Sequence, residues 1–91
     1  MYRLRDTVRT IRNRDGGVIL DIRSGKMFRL NPVGALILEL VANGKSEQDA
    51  ARSVAHLYSI RNETALADVR DFLESLEQHQ LVTSGDRAGQ P

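Results

Sequence analysis

The sequence predicts an α+β fold that resembles a winged helix-turn-helix, in which a three-stranded antiparallel sheet is followed by three helices. Two observations predict the sheet. Residues 16–30 hold two segments of alternating apolar residues, and the turn-forming pair Ser24-Gly25 lies between them. A third observation predicts the helices, because apolar residues beyond Asn31-Pro32 recur at the spacing of an α-helix. The chain therefore divides into a β-rich beginning and a helical remainder.

Alternation and turn chemistry place the three strands. Residues 3–12 are interpreted as the first strand because polarity alternates from Val8 onward, although the apolar face of this strand is thin. Gly16 and Gly17, which follow this strand, favour a turn, since glycine adopts positive φ without a steric penalty. The β-branched segment 18–22 is the expected second strand, and residues 26–30 are the expected third.

The first helix has a clear start and a clear end in the sequence. The side chain of Asn31 can cap the helix, and Pro32 suits the first helical position because no N–H group is needed there. Asn43-Gly44 predicts its end, since glycine commonly follows a helix. The stripe that we expect to be buried consists of Leu36, Ile37, Leu40 and Val41.

Two further helices are expected. The segment Ser46 to Asp49 resembles a capping box and opens the second helix. We expect a connector over residues 58–61 and a third helix that begins at Asn62 or Thr64 and ends near Gln80. The residues expected on the buried faces are Ala50, Val54 and Leu57 in the second helix, and Leu66, Val69, Phe72, Leu73 and Leu76 in the third.

Length and composition bound the organisation of the chain. Its 91 residues, 41% of them hydrophobic, suffice for one small core. We expect one domain over residues 1–82 and a flexible C-terminal tail over residues 83–91. The absence of cysteine excludes disulfides and thiolate nucleophiles. No segment is apolar and long enough to span a membrane, and the N-terminus lacks a secretion signal, so the expected compartment is the cytoplasm.

Charge is distributed unevenly along the chain. Residues 1–30 carry a net charge of +5, and residues 31–91 carry −4. The expected third helix alone carries −4, which disfavours the phosphate contacts that a DNA-recognition helix needs. Binding of nucleic acid is therefore not expected, and the basic strands leave it open only as an alternative.

No residue pattern indicates catalysis, a metal site or a cofactor. His56 and His79 lie on separate predicted helices, and neither has a pairing motif nearby. The carboxylates of the third helix are spaced as on a solvated helix face. The sequence contains no HExxH motif, phosphate loop or nucleophile elbow. We therefore expect no catalytic residue, no metal ligand and no cofactor.

The third strand is the best candidate for recognition if one of its edges is free. Unpaired N–H and C=O groups along residues 26–30 can bind an extended peptide. Alternation sends Phe28 and Leu30 to one face and Met27 and Arg29 to the other. Taken singly, Phe28, Leu30, Val69 and Leu76 are more often ordinary core residues than parts of a binding site. The third helix offers an apolar wall flanked by polar residues, namely Val69, Phe72 and Leu76 with Asp68 and Ser75.

Three segments carry a resemblance to a known family: GGVILDIRSGKMFRLNPVGALILEL, VANGKSEQDAARSVAHLYSI and ETALADVRDFLESLEQHQLV. Together they resemble the PqqD-like recognition elements for precursor peptides, and among these the discrete small proteins of lasso-peptide gene clusters. The resemblance covers about residues 16–82. It is most specific at SGKMFRLNPVGA and ADVRDFLESL.

The resemblance implies a non-catalytic protein that binds the leader segment of a ribosomally made precursor peptide. The leader adds as an antiparallel strand to the third strand and packs against the third helix, typically offering an aromatic residue, a proline and a leucine. Met27 departs from the family pattern, in which an aromatic residue is common at this position. Carried over by position, the leader-binding residues are Lys26, Met27, Phe28, Arg29, Leu30, Asp68, Val69, Phe72, Ser75 and Leu76.

The resemblance also implies two enzyme partners. A separate transglutaminase-like cysteine protease removes the leader, and an ATP-dependent lasso cyclase closes the macrolactam. Because 91 residues leave no room for a fused enzyme, we expect the recognition element to act as a separate chain whose affinity replaces a covalent linkage.

Two alternatives stay open at this point. The precursor can belong to another class, such as a quinone-cofactor peptide or one handled by a radical SAM enzyme, and neighbouring genes would distinguish this case. The chain can instead be a winged-helix DNA-binding regulator, which predicts an affinity for duplex DNA that falls steeply with added salt.

Overall fold

The computed structural model describes residues 2–84, and the three-stranded sheet and three helices occur in the predicted order. A further short strand lies at each end of the described chain. The elements are β1 Tyr2–Leu4, β2 Val8–Asn13, β3 Gly16–Asp21, β4 Lys26–Leu30, α1 Pro32–Ala42, α2 Glu47–Tyr58, α3 Asn62–Gln78 and β5 Val82–Ser84.

The expected three-stranded antiparallel sheet is confirmed, with the order β2-β3-β4. Its second turn is held by the carboxylate of Asp21, which accepts hydrogen bonds from the Arg23 N–H (3.1 Å) and the Ser24 hydroxyl (2.9 Å). Gly25 has φ +76°, a conformation that glycine adopts without steric cost. These contacts fix the register in which Ile19 pairs with Phe28.

The sequence predicted one continuous first strand over residues 3–12, and this prediction is wrong, because two separate strands, β1 and β2, occupy this part of the chain. The chain turns after β1 because the Val8 N–H donates to the Arg5 carbonyl (3.0 Å) and the Arg5 N–H donates to the Leu81 carbonyl (3.1 Å). As a result, β1 leaves the sheet and pairs antiparallel with β5 at the other end of the chain. Of the expected tail over 83–91, residues 83 and 84 belong to β5, and residues 85–91 lie outside the described residues.

The helix boundaries follow the predicted capping residues at two of three N-termini. The Asn31 side chain accepts a hydrogen bond from the Gly34 N–H (2.8 Å), and the Ser46 hydroxyl oxygen accepts one from the Asp49 N–H (3.1 Å). Helix α3 begins without a side-chain cap. It ends at Gln78, two residues before the predicted end, because Gln80 has the left-handed φ of +62°.

One core lies between the sheet and the helices, and its side chains are almost all aliphatic. On α1, the expected Ile37 and Val41 are buried, whereas Leu36 and Leu40 are half-buried. On α2, the buried face consists of small residues from Ala50 to Ala55, so Leu57 lies beside this stripe and is 60% exposed, contrary to its expected burial. No helix within residues 2–84 has both the length and the apolar character needed to cross a bilayer.

Candidate functional site

Strand β4 has a free edge. It forms one margin of the three-stranded sheet and pairs with β3 on one side, and no other strand among residues 2–84 pairs with its second side. The N–H and C=O groups on that second side are therefore available to an added strand. The open edge predicted for residues 26–30 is confirmed for the described part of the chain.

Helix α3 ends beside the turn that precedes β4. The guanidinium of Arg23, in that turn, donates to the Gln80 side-chain oxygen at 2.7 Å. Farther along the strand, the rings of Phe28 and His79 meet edge to face, with centroids 5.5 Å apart and an interplanar angle of 72°. The C-terminal end of α3 thus lies next to the first half of β4.

An earlier turn of α3 lies next to the end of β4. The ring carbon Cε1 of Phe72 is 3.1 Å from the position that a Cβ on Gly34 would occupy, so glycine permits this close approach. Gly34 binds the capping side chain of Asn31, the residue that directly follows β4. Residue numbers rise along β4 while the adjacent residue numbers on α3 fall. The helix therefore runs antiparallel to the strand.

The two faces of β4 differ as alternation predicted. Phe28 is paired with the fully buried Ile19 and is itself half-buried, as is Leu30. Met27 lies on the opposite face, where it is 67% exposed, and Arg29 is exposed on the same face. The face that carries Phe28 and Leu30 is the one that adjoins the core and α3.

The predicted helix residues divide into two groups. Asp68, Phe72 and Ser75 follow one another at helical spacing on the flank of α3 that faces β4; Phe72 is half-buried and the other two are exposed. Val69 has no exposed surface and Leu76 is 7% exposed, so both belong to the core. Val69 and Leu76 pack in the core beneath this flank, while Phe72 supplies the apolar surface of the flank.

The sequence interpretation missed His79 as a neighbour of the strand. Its Nδ1 lies 2.9 Å from the Ser75 carbonyl oxygen. Since a carbonyl accepts, Nδ1 is the donor and carries the proton. His79 follows Ser75 by four residues and Phe72 by seven, so the same helical spacing that linked the predicted residues also includes it.

We call the space between β4 and one flank of α3 the groove. This flank consists of Asp68, Phe72 and Ser75, and of His79, which directly follows the helix. Of its charged neighbours, Lys26, Arg29 and Asp68 take part in no ion pair within residues 2–84. At the turn before β4, the hydroxyl of Ser24 and the N–H of Arg23 lower the pKa of the Asp21 carboxyl, which keeps it ionised. The ionised carboxylate in turn holds the start of the strand in place.

Among residues 2–84, no three His, Asp or Glu side chains are grouped so as to hold a metal ion. A depression between α1 and α2 is lined by side chains that include Lys45, Asp49 and His56, but by none from β4 or α3. The groove brings together six of the predicted residues, namely Lys26, Phe28 and Leu30 of β4 and Asp68, Phe72 and Ser75 of α3.

Three comparisons relate the chain to known proteins. The family model described as "Coenzyme PQQ synthesis protein D (PqqD)" matches residues 16–82. A search of curated protein sequences finds no match. Solved structures similar to the chain confirm an α+β fold of this type.

Two of these structures contain a bound peptide. TbiB1 in complex with the TbiA(beta) leader peptide has 29% identity and a TM-score of 0.83, and the match covers 90% of this chain and 95% of that one. Lasso peptide synthetase B1 complexed with the leader peptide has 29% identity and a TM-score of 0.83, with 91% and 98% covered.

A third structure shares the fold at lower identity. It is the PqqD truncation of Methylobacterium extorquens PqqCD, described as a stand-alone recognition element for ribosomally synthesised and post-translationally modified peptides. Its identity is 22% and its TM-score 0.76, and the match covers 91% of this chain and 88% of that one.

Proposed function

The chain belongs to the PqqD family, and from this premise we propose that it binds the leader segment of a ribosomally synthesised precursor peptide of the lasso class. Binding involves no catalysis. The leader adds as an antiparallel strand to the free edge of β4 and packs against α3. The observation that carries the proposal is this free edge with a helix beside it, in a chain similar to two proteins solved with leader peptides.

Each part of the groove has its own role in the proposal. The backbone of Lys26–Leu30 supplies hydrogen bonds, which give affinity with little demand on sequence. Phe28, Leu30 and Phe72 are half-buried and supply apolar contact, since burial of apolar area drives association. Asp68 and Ser75 form a polar rim on α3, and Arg29, on the face of β4 that carries Met27, adjoins the outward side chains of the leader. Met27 contacts outward side chains of the leader, and Val69 and Leu76 hold the flank of α3 in place.

We further propose that the bound precursor passes to two separate enzymes. These are a transglutaminase-like cysteine protease, which removes the leader, and an ATP-dependent lasso cyclase, which closes the macrolactam. The similarity to lasso peptide synthetase B1 supports this assignment. Because the precursor is made by ribosomes, the proposed site of action is the cytoplasm.

A second candidate is a precursor of another class, such as a quinone-cofactor peptide delivered to a radical SAM enzyme. The family description, a protein of coenzyme PQQ synthesis, favours it. The binding site is the same in both candidates, so the difference lies in the sequence of the leader and in the partner enzymes.

Calorimetric titration tests the proposal with synthetic peptides copied from short reading frames beside the gene. We expect saturable binding of one leader and none of its scrambled control. Equal binding of leader and scrambled peptides would contradict the proposal. Salt-sensitive binding of duplex DNA in place of any leader would favour a DNA-binding regulator.

A further inference from the structure

We propose that the groove selects a peptide with ordered charge: a basic residue near its N-terminal end, an acidic residue near its C-terminal end, and apolar side chains between them. The inference rests on the proposed strand addition to β4. It names the chemical class of the bound segment.

The two ends of the groove carry opposite charge. Asp68 lies one helical turn before Phe72, and Phe72 packs where β4 ends, so the carboxylate of Asp68 adjoins the Leu30 end. Lys26 begins β4 and shares a face with Phe28. The groove is therefore acidic at the Leu30 end and basic at the Lys26 end, with the half-buried aromatic rings between.

A second cation reinforces the basic end. Arg23 lies in the turn before Lys26 and donates to the amide oxygen of Gln80 at 2.7 Å. An amide is neutral, so this hydrogen bond does not cancel the charge of the guanidinium. The Asp21 carboxylate, which pairs with Lys26 in the sheet register, interacts with Arg23 and offsets one of the two positive charges, so this end remains basic. Asp71, the residue directly before Phe72, is exposed and adds a second carboxylate at the acidic end.

Two ion pairs lie near these elements but outside the groove. On the α2 side of α3, Arg70 contacts Glu47 at 3.1 Å, and Arg12 of β2 pairs with Glu39 of α1. Within residues 2–84, Asp68 and Lys26 have no such partner. Oppositely charged side chains on a bound peptide would complete these pairs.

The sheet geometry gives the peptide its direction. Both existing pairings, β2 with β3 and β3 with β4, are antiparallel. Antiparallel pairing is also slightly more stable per residue than parallel pairing. An antiparallel segment on β4 has its N-terminal end at Leu30 and its C-terminal end at Lys26. The basic residue therefore comes first and the acidic residue last.

The distance between the charged ends sets the spacing. Asn31 follows Lys26 by five positions, a distance of about 17 Å at roughly 3.3 Å per residue. One turn of helix, from Phe72 back to Asp68, adds about 6 Å. An extended peptide spans this distance with about six to eight residues. Arg29 does not cancel the order because it lies on the opposite face, beside the outward side chains of the peptide.

Selection from a displayed library of random peptides, about twelve residues long, tests the inference on the immobilised full chain. We expect enriched peptides to carry Lys or Arg about six to eight residues before Asp or Glu. Exchange of these two charges in an enriched peptide should weaken binding about three- to tenfold, and the difference should shrink at about 1 M salt.

Two variants make the assignment specific. Asp68→Lys should change the preferred first residue from basic to acidic, and Lys26→Glu should change the preferred last residue from acidic to basic. Arg12→Glu is the matched control on β2 and should select the same peptides as the unaltered chain. All three positions are exposed, and circular dichroism checks that each variant folds.

The outcomes separate the inference from the proposed function. The inference would be wrong if the enriched peptides showed no charge order, or if Asp68→Lys and Lys26→Glu selected the same peptides as the unaltered chain. Strand addition would stand in either case, provided that Phe72→Ala abolished the enrichment. A library without any enriched peptide would overturn both.

Discussion

The three-stranded sheet has two outer strands, and each lies near a helix, but the space between strand and helix differs. Beside β2, the guanidinium of Arg12 pairs with the carboxylate of Glu39 on α1. Beside β4, half-buried Phe28 and Phe72 line the groove, and Asp68 has no ion-pair partner within residues 2–84. Both edges offer backbone hydrogen bonds.

This difference shows that a free edge is not sufficient for a peptide site. Edge strands are common, and proteins guard many of them with charged side chains. Arginine and glutamate across the gap guard the β2 edge in this way. An apolar wall at the β4 edge adds contact area and side-chain selection to the hydrogen bonds that both edges share.

Removal of the aromatic wall should produce the largest effect. Phe72→Ala is expected to weaken leader binding about 30- to 100-fold, roughly 2–3 kcal/mol, because a central aromatic contact is lost. Titration calorimetry with a leader peptide measures this. Leu66→Ala is the matched control, since Leu66 is half-buried on the opposite flank of α3. It should reduce stability and leave affinity within about twofold; equal losses in both variants would contradict the groove.

Two Gly→Ala substitutions, each of which adds one methyl group, test the same difference between the β4 edge and the β2 edge. A Cβ on Gly34 would lie 3.1 Å from Phe72, whereas a Cβ on Gly17 would lie 2.7 Å from the Ile11 carbonyl oxygen. Gly34→Ala should displace the ring and weaken leader binding about three- to tenfold. Gly17→Ala should destabilise the fold by about 1–3 kcal/mol.

Thermal unfolding and titration, each applied to both glycine variants, provide the check. We expect Gly34→Ala to lose mainly affinity for the leader and Gly17→Ala to lose mainly stability. The reverse pattern would show that Phe72 does not face the bound peptide.

The capping residues and the β3–β4 hairpin were predictable because their chemistry is local. Asn31, Ser46 and the turn at Ser24-Gly25 each act within a few residues of chain, and all three are confirmed. The alternation that separated Phe28 from Met27 is also a local property, and it correctly assigned the two faces of β4.

The remaining features depend on contacts between distant parts of the chain. Strands β1 and β5 have three residues each, and a pairing such as Tyr2 with Ser84 leaves no periodic signal in either segment. The position of His79 beside Phe28 depends on how α3 packs. Likewise, Val69 and Leu76 are buried because their side of α3 faces the core. The sequence alone could not distinguish these core residues from the half-buried Phe72.

A smaller loss of stability is expected from a change in the turn that precedes β4. The Ser24 hydroxyl is the main cause of the lowered pKa of Asp21, whose usual value is 3.8. A lowered pKa means that the ionised carboxylate stabilises the folded state above pH about 4, and that this contribution is lost as pH falls through the folded-state value.

Ser24→Ala should therefore reduce the melting temperature at pH 7, and the difference from the unaltered chain should narrow as pH falls below about 4. Thermal unfolding followed by circular dichroism over this pH range checks it. A difference that is constant with pH would show that Ser24 acts other than through the Asp21 carboxylate.

The smallest effect is expected at the guarded edge. Arg12→Ala removes an ion pair whose side chains are 43% and 47% exposed, so the cost in stability should be about 0.2–1 kcal/mol. Leader affinity, measured by the same titration, should not change. A gain or loss of more than about threefold would indicate that the leader also contacts β2.

Amide hydrogen exchange followed by NMR, with and without a bound leader peptide, tests strand addition most directly. We expect the outward-facing amides of Lys26–Leu30 to become protected at least about tenfold when the leader binds, while the free-edge amides of Val8–Asn13 keep their exchange rates. Binding that leaves the β4 amides unprotected, or that protects those of β2 instead, would contradict strand addition to β4.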